Sequence, residues 1–219
     1  MLLLAAYAVL ALATTTSQAL GLPLVADVAY VLLMPTLIAF VLAMVRRRTR
    51  VITWTVIALF WSWMGDWADQ VLLIKIVFFV LAQIAYVAAF WPMRRHSVLV
   101  RPVPLIAYAA LIALLITTLA SRAGSLAGPV TGYGLLLGLT AILATGVNRT
   151  VGLGGFVFLL SDIVLAVHLF VGPDVIPFSL ALNSALYLPA QLLMTVGVLR
   201  WAAEHPVRQP PALVPSWRG

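Results

Sequence analysis

The sequence predicts an all-α polytopic membrane protein, a bundle of eight transmembrane helices with both termini in the cytoplasm. Three observations carry this. The chain is 64% hydrophobic and 9% charged, whereas a soluble domain is about half apolar and about a quarter charged. Its apolar residues fall into eight runs, each near the roughly 20 residues that a membrane helix needs. Its arginines cluster in every second gap between those runs.

The runs lie at about 2–20, 24–45, 51–70, 71–91, 101–120, 129–147, 151–171 and 176–199. The first lacks a basic leader and reads as a span rather than a cleaved signal. The third and fourth are contiguous, which predicts a tight turn near Asp69–Leu72. Residues 1–200 are expected to form a single transmembrane domain. Residues 201–219, ending in the proline-rich PVRQPPALVPSWRG, are expected to form a disordered cytoplasmic tail.

Orientation follows from the basic residues, because short cytoplasmic loops carry an excess of Lys and Arg. Arg46, Arg47, Arg48, Arg50, Arg94, Arg95, Arg101, Arg149, Arg200, Arg208 and Arg218 share one side. Only Lys75 and Arg122 of the 13 fall toward the other. An even number of spans in a cell membrane then makes both termini cytoplasmic. Trp54, Trp91 and Trp201 lie near the basic ends, as an interfacial belt requires.

The same pattern excludes several functions. The net charge of +7 belongs to topology, so no nucleic-acid partner is expected. There is no cysteine, hence no disulfide, zinc-thiolate site or thiol nucleophile. His96, His168 and His205 are too scattered for a zinc site. GLGG at 152–155 follows no strand and is no dinucleotide loop. Gly134 with Gly138, and Gly152 with Gly154 and Gly155, are read as close helix packing.

What remains is a small set of polar residues inside apolar runs. Of six acidic residues, Asp27 and Asp174 belong to short outer loops and Glu204 to the tail. Asp66 and Asp69 lie in WSWMGDWADQ, at the end of the third run, and Asp162 lies in the seventh. An intramembrane carboxyl is expensive and normally faces a bundle interior or a watery cavity. At about 1.5 Å per residue, Asp66 lies roughly 22 Å and Asp162 roughly 17 Å from the inner edge. Asp69 fits a solvated helix end as well as it fits chemistry.

Other polar groups share that band. The fourth run carries Gln83 and Tyr86 at i,i+3. The eighth carries Asn183, Tyr187 and Gln191 at i,i+4,i+8, one continuous stripe. Ser161 adjoins Asp162, and Pro189 can kink the eighth helix within the stripe. Such residues either bridge helices or line a site.

Gly65-Asp66, Phe158-Leu159-Leu160-Ser161-Asp162, Tyr187-Leu188-Pro189-Ala190-Gln191 and the pair Gln83 and Tyr86 together resemble the motifs of a known family. It is the YhhN-like family of eight-helix membrane proteins, whose animal relatives are lysoplasmalogenases. The resemblance runs through nearly the whole chain in order. It departs at Met34-Pro35, where relatives often have Lys-Pro, and at Gln83, where they often have His.

The resemblance implies an ether hydrolase. Its substrate would be a lysoplasmalogen, cleaved at the vinyl ether to a fatty aldehyde and glycerophospho-ethanolamine or -choline. Acid cleaves such a bond by protonating the β-carbon, and water then attacks the oxocarbenium ion. Two carboxyls in different environments can divide the acid and anion roles. Asp66 and Asp162 are the expected catalytic pair. Gln83, Tyr86, Ser161, Asn183, Tyr187 and Gln191 would bind substrate or orient water. Neither a metal nor an organic cofactor is required. Ser161 has no histidine in reach for a serine-hydrolase triad. A proton-coupled carrier or a non-catalytic lipid-binding protein are the alternatives, since intramembrane carboxyls also line ion pathways.

Overall fold

The computed structural model describes residues 2–45, 49–68 and 71–206. Asp69, Arg46, Arg47, Arg48, the Asp69–Gln70 part of the expected tight turn, and the tail beyond Pro206 lie outside them. The described chain is all α. Its long helices are α1 (Leu2–Ala19), α2 (Pro23–Met44), α3 (Arg50–Trp67), α4 (Leu72–Phe90), α5 (Pro102–Ala120), α6 (Ala127–Ala144), α7 (Arg149–Phe170) and α8 (Ser179–Glu204). Short 3-10 turns occupy Trp91–His96, Val98–Val100 and Gly124–Leu126.

Seven of these helices are long and apolar enough to cross a membrane. The other, α3, matches α1 in length at 18 residues, but Arg50, Asp66 and four tryptophans make it less apolar. Helix termini are fixed by local chemistry. The Thr49 side chain caps α3 by accepting from the Ile52 backbone N–H. Asn148 caps α7 by accepting from the Val151 N–H at 2.9 Å, and its amide donates to the Gly197 carbonyl at 2.8 Å. One side chain thus starts α7 and ties it to α8. Several threonine hydroxyls within helices donate back one turn, as Thr55 does to the Val51 carbonyl, whereas the buried hydroxyls of Thr14, Thr140 and Thr195 make no hydrogen bond.

The helices pack in a closed order. α1 lies on α2 and α8, α2 on α3, α3 on α4, α4 on α6, α6 on α5 and α7, and α7 on α8. α8 also touches α2 and α3, which makes it the central element. It is the most buried of the seven apolar helices, and α5 is the least. Leu33, Met34 and Leu37 of α2, Leu59 of α3, Tyr86 and Phe90 of α4, Phe158 of α7 and Met194 of α8 are fully buried together. α1 is held at depth by a Tyr7 hydroxyl that donates to the Leu188 carbonyl at 2.8 Å.

Lipid tails are as apolar as leucine, so close packing must supply the association energy between helices. The glycines on α7 make this possible. A Cβ on Gly154 would meet the Met194 backbone N at 2.9 Å, and one on Gly155 would meet the Ala144 Cβ at 2.8 Å. The α7 glycines therefore serve two neighbours, α8 and α6. Gly138 faces Ile112 of α5 in the same way. The expected small-residue packing is what these positions do.

Gly154→Leu should lower stability by roughly 1–3 kcal/mol through overpacking against backbone, read as a lower unfolding temperature in detergent. Gly128→Ala, where a Cβ meets nothing within 4 Å, should be neutral or better. Equal unfolding temperatures for Gly154→Leu and the parent would contradict this packing.

Candidate active site

Asp66 lies in the last turn of α3 and is only 6% exposed. Its two oxygens accept from two different helices. The Tyr30 hydroxyl of α2 donates to Oδ1 at 3.2 Å, and the Tyr187 hydroxyl of α8 donates to Oδ2 at 3.1 Å. A buried acceptor left without a donor costs roughly 1–3 kcal/mol, and more when charged, and two phenol donors offset part of that. Gly65 shapes the same spot. A Cβ there would lie 2.8 Å from the Phe79 ring of α4, so glycine lets that ring press directly onto α3.

One turn before Asp66, Ser62 accepts from Gln191 Nε2 at 3.3 Å. Gln191 Oε1 in turn accepts from the Tyr86 hydroxyl at 2.5 Å. The stripe on α8 therefore meets α3 twice and α4 once. Each of these groups is buried and partnered, which suits a rigid support for Asp66.

Asp162, on α7, is half-buried. Its Oδ2 accepts from the Tyr133 hydroxyl of α6. Ser161 donates mainly to the Phe158 carbonyl at 2.7 Å and reaches Asp162 Oδ1 only at 3.5 Å. His168 contacts Ser179 at 2.6 Å, not Ser161, so the serine and histidine do not form a catalytic pair.

Phe79 joins the two carboxyl groups' surroundings. Its ring centroid lies 6.3 Å from that of Tyr133 and 6.3 Å from that of Tyr187. Lys75, one turn earlier on α4, lies within electrostatic reach of both Asp66 and Asp162. The carboxyls nevertheless line different spaces. Asp66 lines a cavity of about 650 Å³ with Gln18, Asp27, Tyr30, Lys75 and Asn183. Its walls come from the ends of α1 and α3 and the starts of α2, α4 and α8, with Leu165 of α7. Asp162 lines two apolar cavities, one between α4, α6 and α7 and one between α5, α6 and α7. Lys75 and Leu165 are common to the first apolar cavity and the polar one.

The sequence-derived candidates divide accordingly. Asp66, Tyr187 and Asn183 stand at the polar cavity or hold its carboxyl. Tyr86 and Gln191 sit behind them as buried support. Gln83 is fully buried, and its amide faces the Tyr133 hydroxyl without a well-formed hydrogen bond. Ser161 turns chiefly to its own helix. Tyr30, Tyr133, Phe79, Lys75 and Ser62 are not among those candidates, and Asp27, expected in a short outer loop, instead lies in the first turns of α2 and lines the polar cavity. The signal for two of them was the hydroxyl itself. Four of the six tyrosines, Tyr30, Tyr86, Tyr133 and Tyr187, lie in apolar runs and supply the donors that buried carboxyls and amides need.

No curated protein and no solved structure matches the chain. The pattern of the YhhN family matches residues 25–198, from the first turn of α2 into α8. The match spans both carboxyl groups, every phenol that binds them, and Lys75. This chain belongs to the YhhN family.

Proposed function

We propose that this YhhN-family protein is a membrane-embedded ether hydrolase acting on lysoplasmalogens. Its one domain, expected over residues 1–200, continues with α8 to Glu204, with eight spans in the cell membrane and a cytoplasmic tail beyond. Both termini face the cytoplasm. The basic residues Arg50, Arg94, Arg95, Arg101, Arg149 and Arg200 support this orientation, because they belong to the helix ends remote from the polar cavity.

The observation that carries the activity is the placement of two phenol-bound carboxyls on either side of Phe79 and Lys75. Asp162 faces the apolar cavities, where an alkenyl chain would lie. Asp66 faces the polar cavity, where water would lie. Asp162 as the acid protonates the vinyl ether β-carbon, and the adjoining carbon becomes an oxocarbenium ion. Asp66 takes a proton from the attacking water. The hemiacetal then collapses: Asp66 returns its proton to the glycerol oxygen as that C–O bond breaks, and Asp162 takes the hydroxyl proton, which leaves the aldehyde and restores both carboxyls. The products are a fatty aldehyde and the glycerophospho headgroup. Tyr30, Tyr133 and Tyr187 fix the carboxyl geometry, so little rearrangement is needed as charge develops.

Asp66→Asn and Asp162→Asn should each reduce aldehyde release by roughly 10²–10⁴-fold, measured on purified protein in detergent. Turnover in detergent also separates this reading from a carrier, which needs two compartments. Near-parent turnover in a folded Asp66→Asn protein would overturn the assignment. Gly65→Ala, which displaces the Phe79 ring rather than backbone, should lower turnover while leaving the unfolding temperature close to that of the parent.

The absence of cysteine permits a direct topology test. Asp174→Cys should react with a membrane-impermeant maleimide in intact cells, and Glu204→Cys only after permeabilisation. The reverse pattern would contradict the orientation.

A further inference from the structure

The polar and apolar cavities share wall residues. Lys75 and Leu165 line both the polar cavity and the first apolar one. Asp162, Tyr133 and Ala166 line both apolar cavities. The spaces therefore follow one another across the bundle, from the ends of α1 to α4 down to the interval between α5, α6 and α7. Chemistry changes along that line. At the polar end Asp27 and Lys75 bring opposite charges. Asn183 is 8% exposed, and its Oδ1 has no hydrogen-bond partner. Gln18 Oε1, also at this end, is likewise without a partner. At the other end the walls are Ile112, Ile116, Leu119 and Leu137, with no charge besides Asp162.

We infer that this line is the binding site of a single-chain ether phospholipid, with its headgroup at Asp27, Lys75 and Asn183 and its hydrocarbon tail between α5, α6 and α7. The inference rests on the proposed hydrolysis and assigns each end of its substrate. Lys75 meets the phosphate, Asp27 the ammonium, and the Asn183 amide a glycerol hydroxyl. This division matches a zwitterionic head on one apolar chain, since buried polar groups demand partners and apolar walls reject them. The linkage between head and tail then falls at Lys75 and Leu165, where Asp66 and Asp162 approach from opposite sides. Ala166 becomes a specificity-determining position, because a larger side chain there narrows both apolar cavities at once. Leu114 points away from them on the exposed side of α5 and provides a control.

Two measurements test this on the purified full chain. In the first, a short-chain and a long-chain lysoplasmalogen are compared. Ala166→Leu should lower kcat/KM for the long chain about tenfold more than for the short one, while Leu114→Phe leaves the ratio unchanged. An equal loss for both lengths, or no loss for either, would overturn the tail assignment. In the second, a non-cleavable alkyl lysophospholipid carrying a diazirine at its chain end is photolysed with the protein. Label should concentrate on α5 over residues 112–119 and on α6 over residues 130–137. Label on α1 and α2, or spread over all outward helix faces, would overturn it. Photolabelling needs no turnover. If the parent releases no aldehyde the hydrolase reading fails, and the labelling still decides where the tail lies.

Discussion

A carboxyl group buried among apolar helices is the constraint from which the rest of this protein follows. Asp66 cannot be left bare in an apolar bundle, and its oxygens are met by Tyr30 and Tyr187. Those phenols come from α2 and α8, elements far apart in sequence. The carboxyl therefore needs α2, α3 and α8 to meet at one point, and it rewards their meeting. α8 is accordingly the central helix, in contact with α1, α2, α3 and α7. Its buried stripe also carries Gln191, which ties Ser62 and Tyr86 into the same core. Asp162 repeats the device more simply, with Tyr133 of α6 as its donor.

Close approach is the second requirement, and it serves the first. Phenol and carboxyl meet only if helix axes come near, and small residues allow that without a driving force from water. Gly154 against Met194 and Gly197 against Val151 let α7 and α8 lie almost backbone to backbone. Gly65 does the same for a ring rather than a helix, and so sets the position of Phe79 between the two tyrosine–carboxyl units. Polarity is thereby concentrated on one side of Phe79 and hydrocarbon on the other. A molecule that is half headgroup and half chain fits that division better than an ion or a sugar would.

The helix pattern was legible in the sequence because hydropathy is a property of consecutive residues. All eight apolar runs became helices, with ends shifted by a few residues. The run at 51–70 is an instructive case. Its composition continues into the next run, but the helix ends at Trp67, just after Asp66. Among site residues, Asp66 and Asp162 were legible because a carboxyl inside an apolar run is conspicuous. Asn183, Tyr187 and Gln191 were legible because one helical face carries all three. Tyr30 and Tyr133 were not: Tyr133 has no polar neighbour at helical spacing, and the one beside Tyr30 is Asp27, which reads as part of an outer loop. Nor could the sequence tell that Ser161 turns to the Phe158 carbonyl, or that the two carboxyls line separate cavities. Those facts depend on the rotation of each helix against its neighbours, which packing decides and spacing does not.

The central claim is that a carboxylic acid of this bundle protonates the carbon of a vinyl ether. Turnover of a lysoplasmalogen by the purified protein in deuterated water tests it most directly, with the aldehyde analysed by mass spectrometry. The account predicts a fatty aldehyde carrying one deuterium on the carbon next to the carbonyl, formed at the step where the β-carbon is protonated. An aldehyde without that deuterium, or a fatty acid or phosphate in its place, would contradict it.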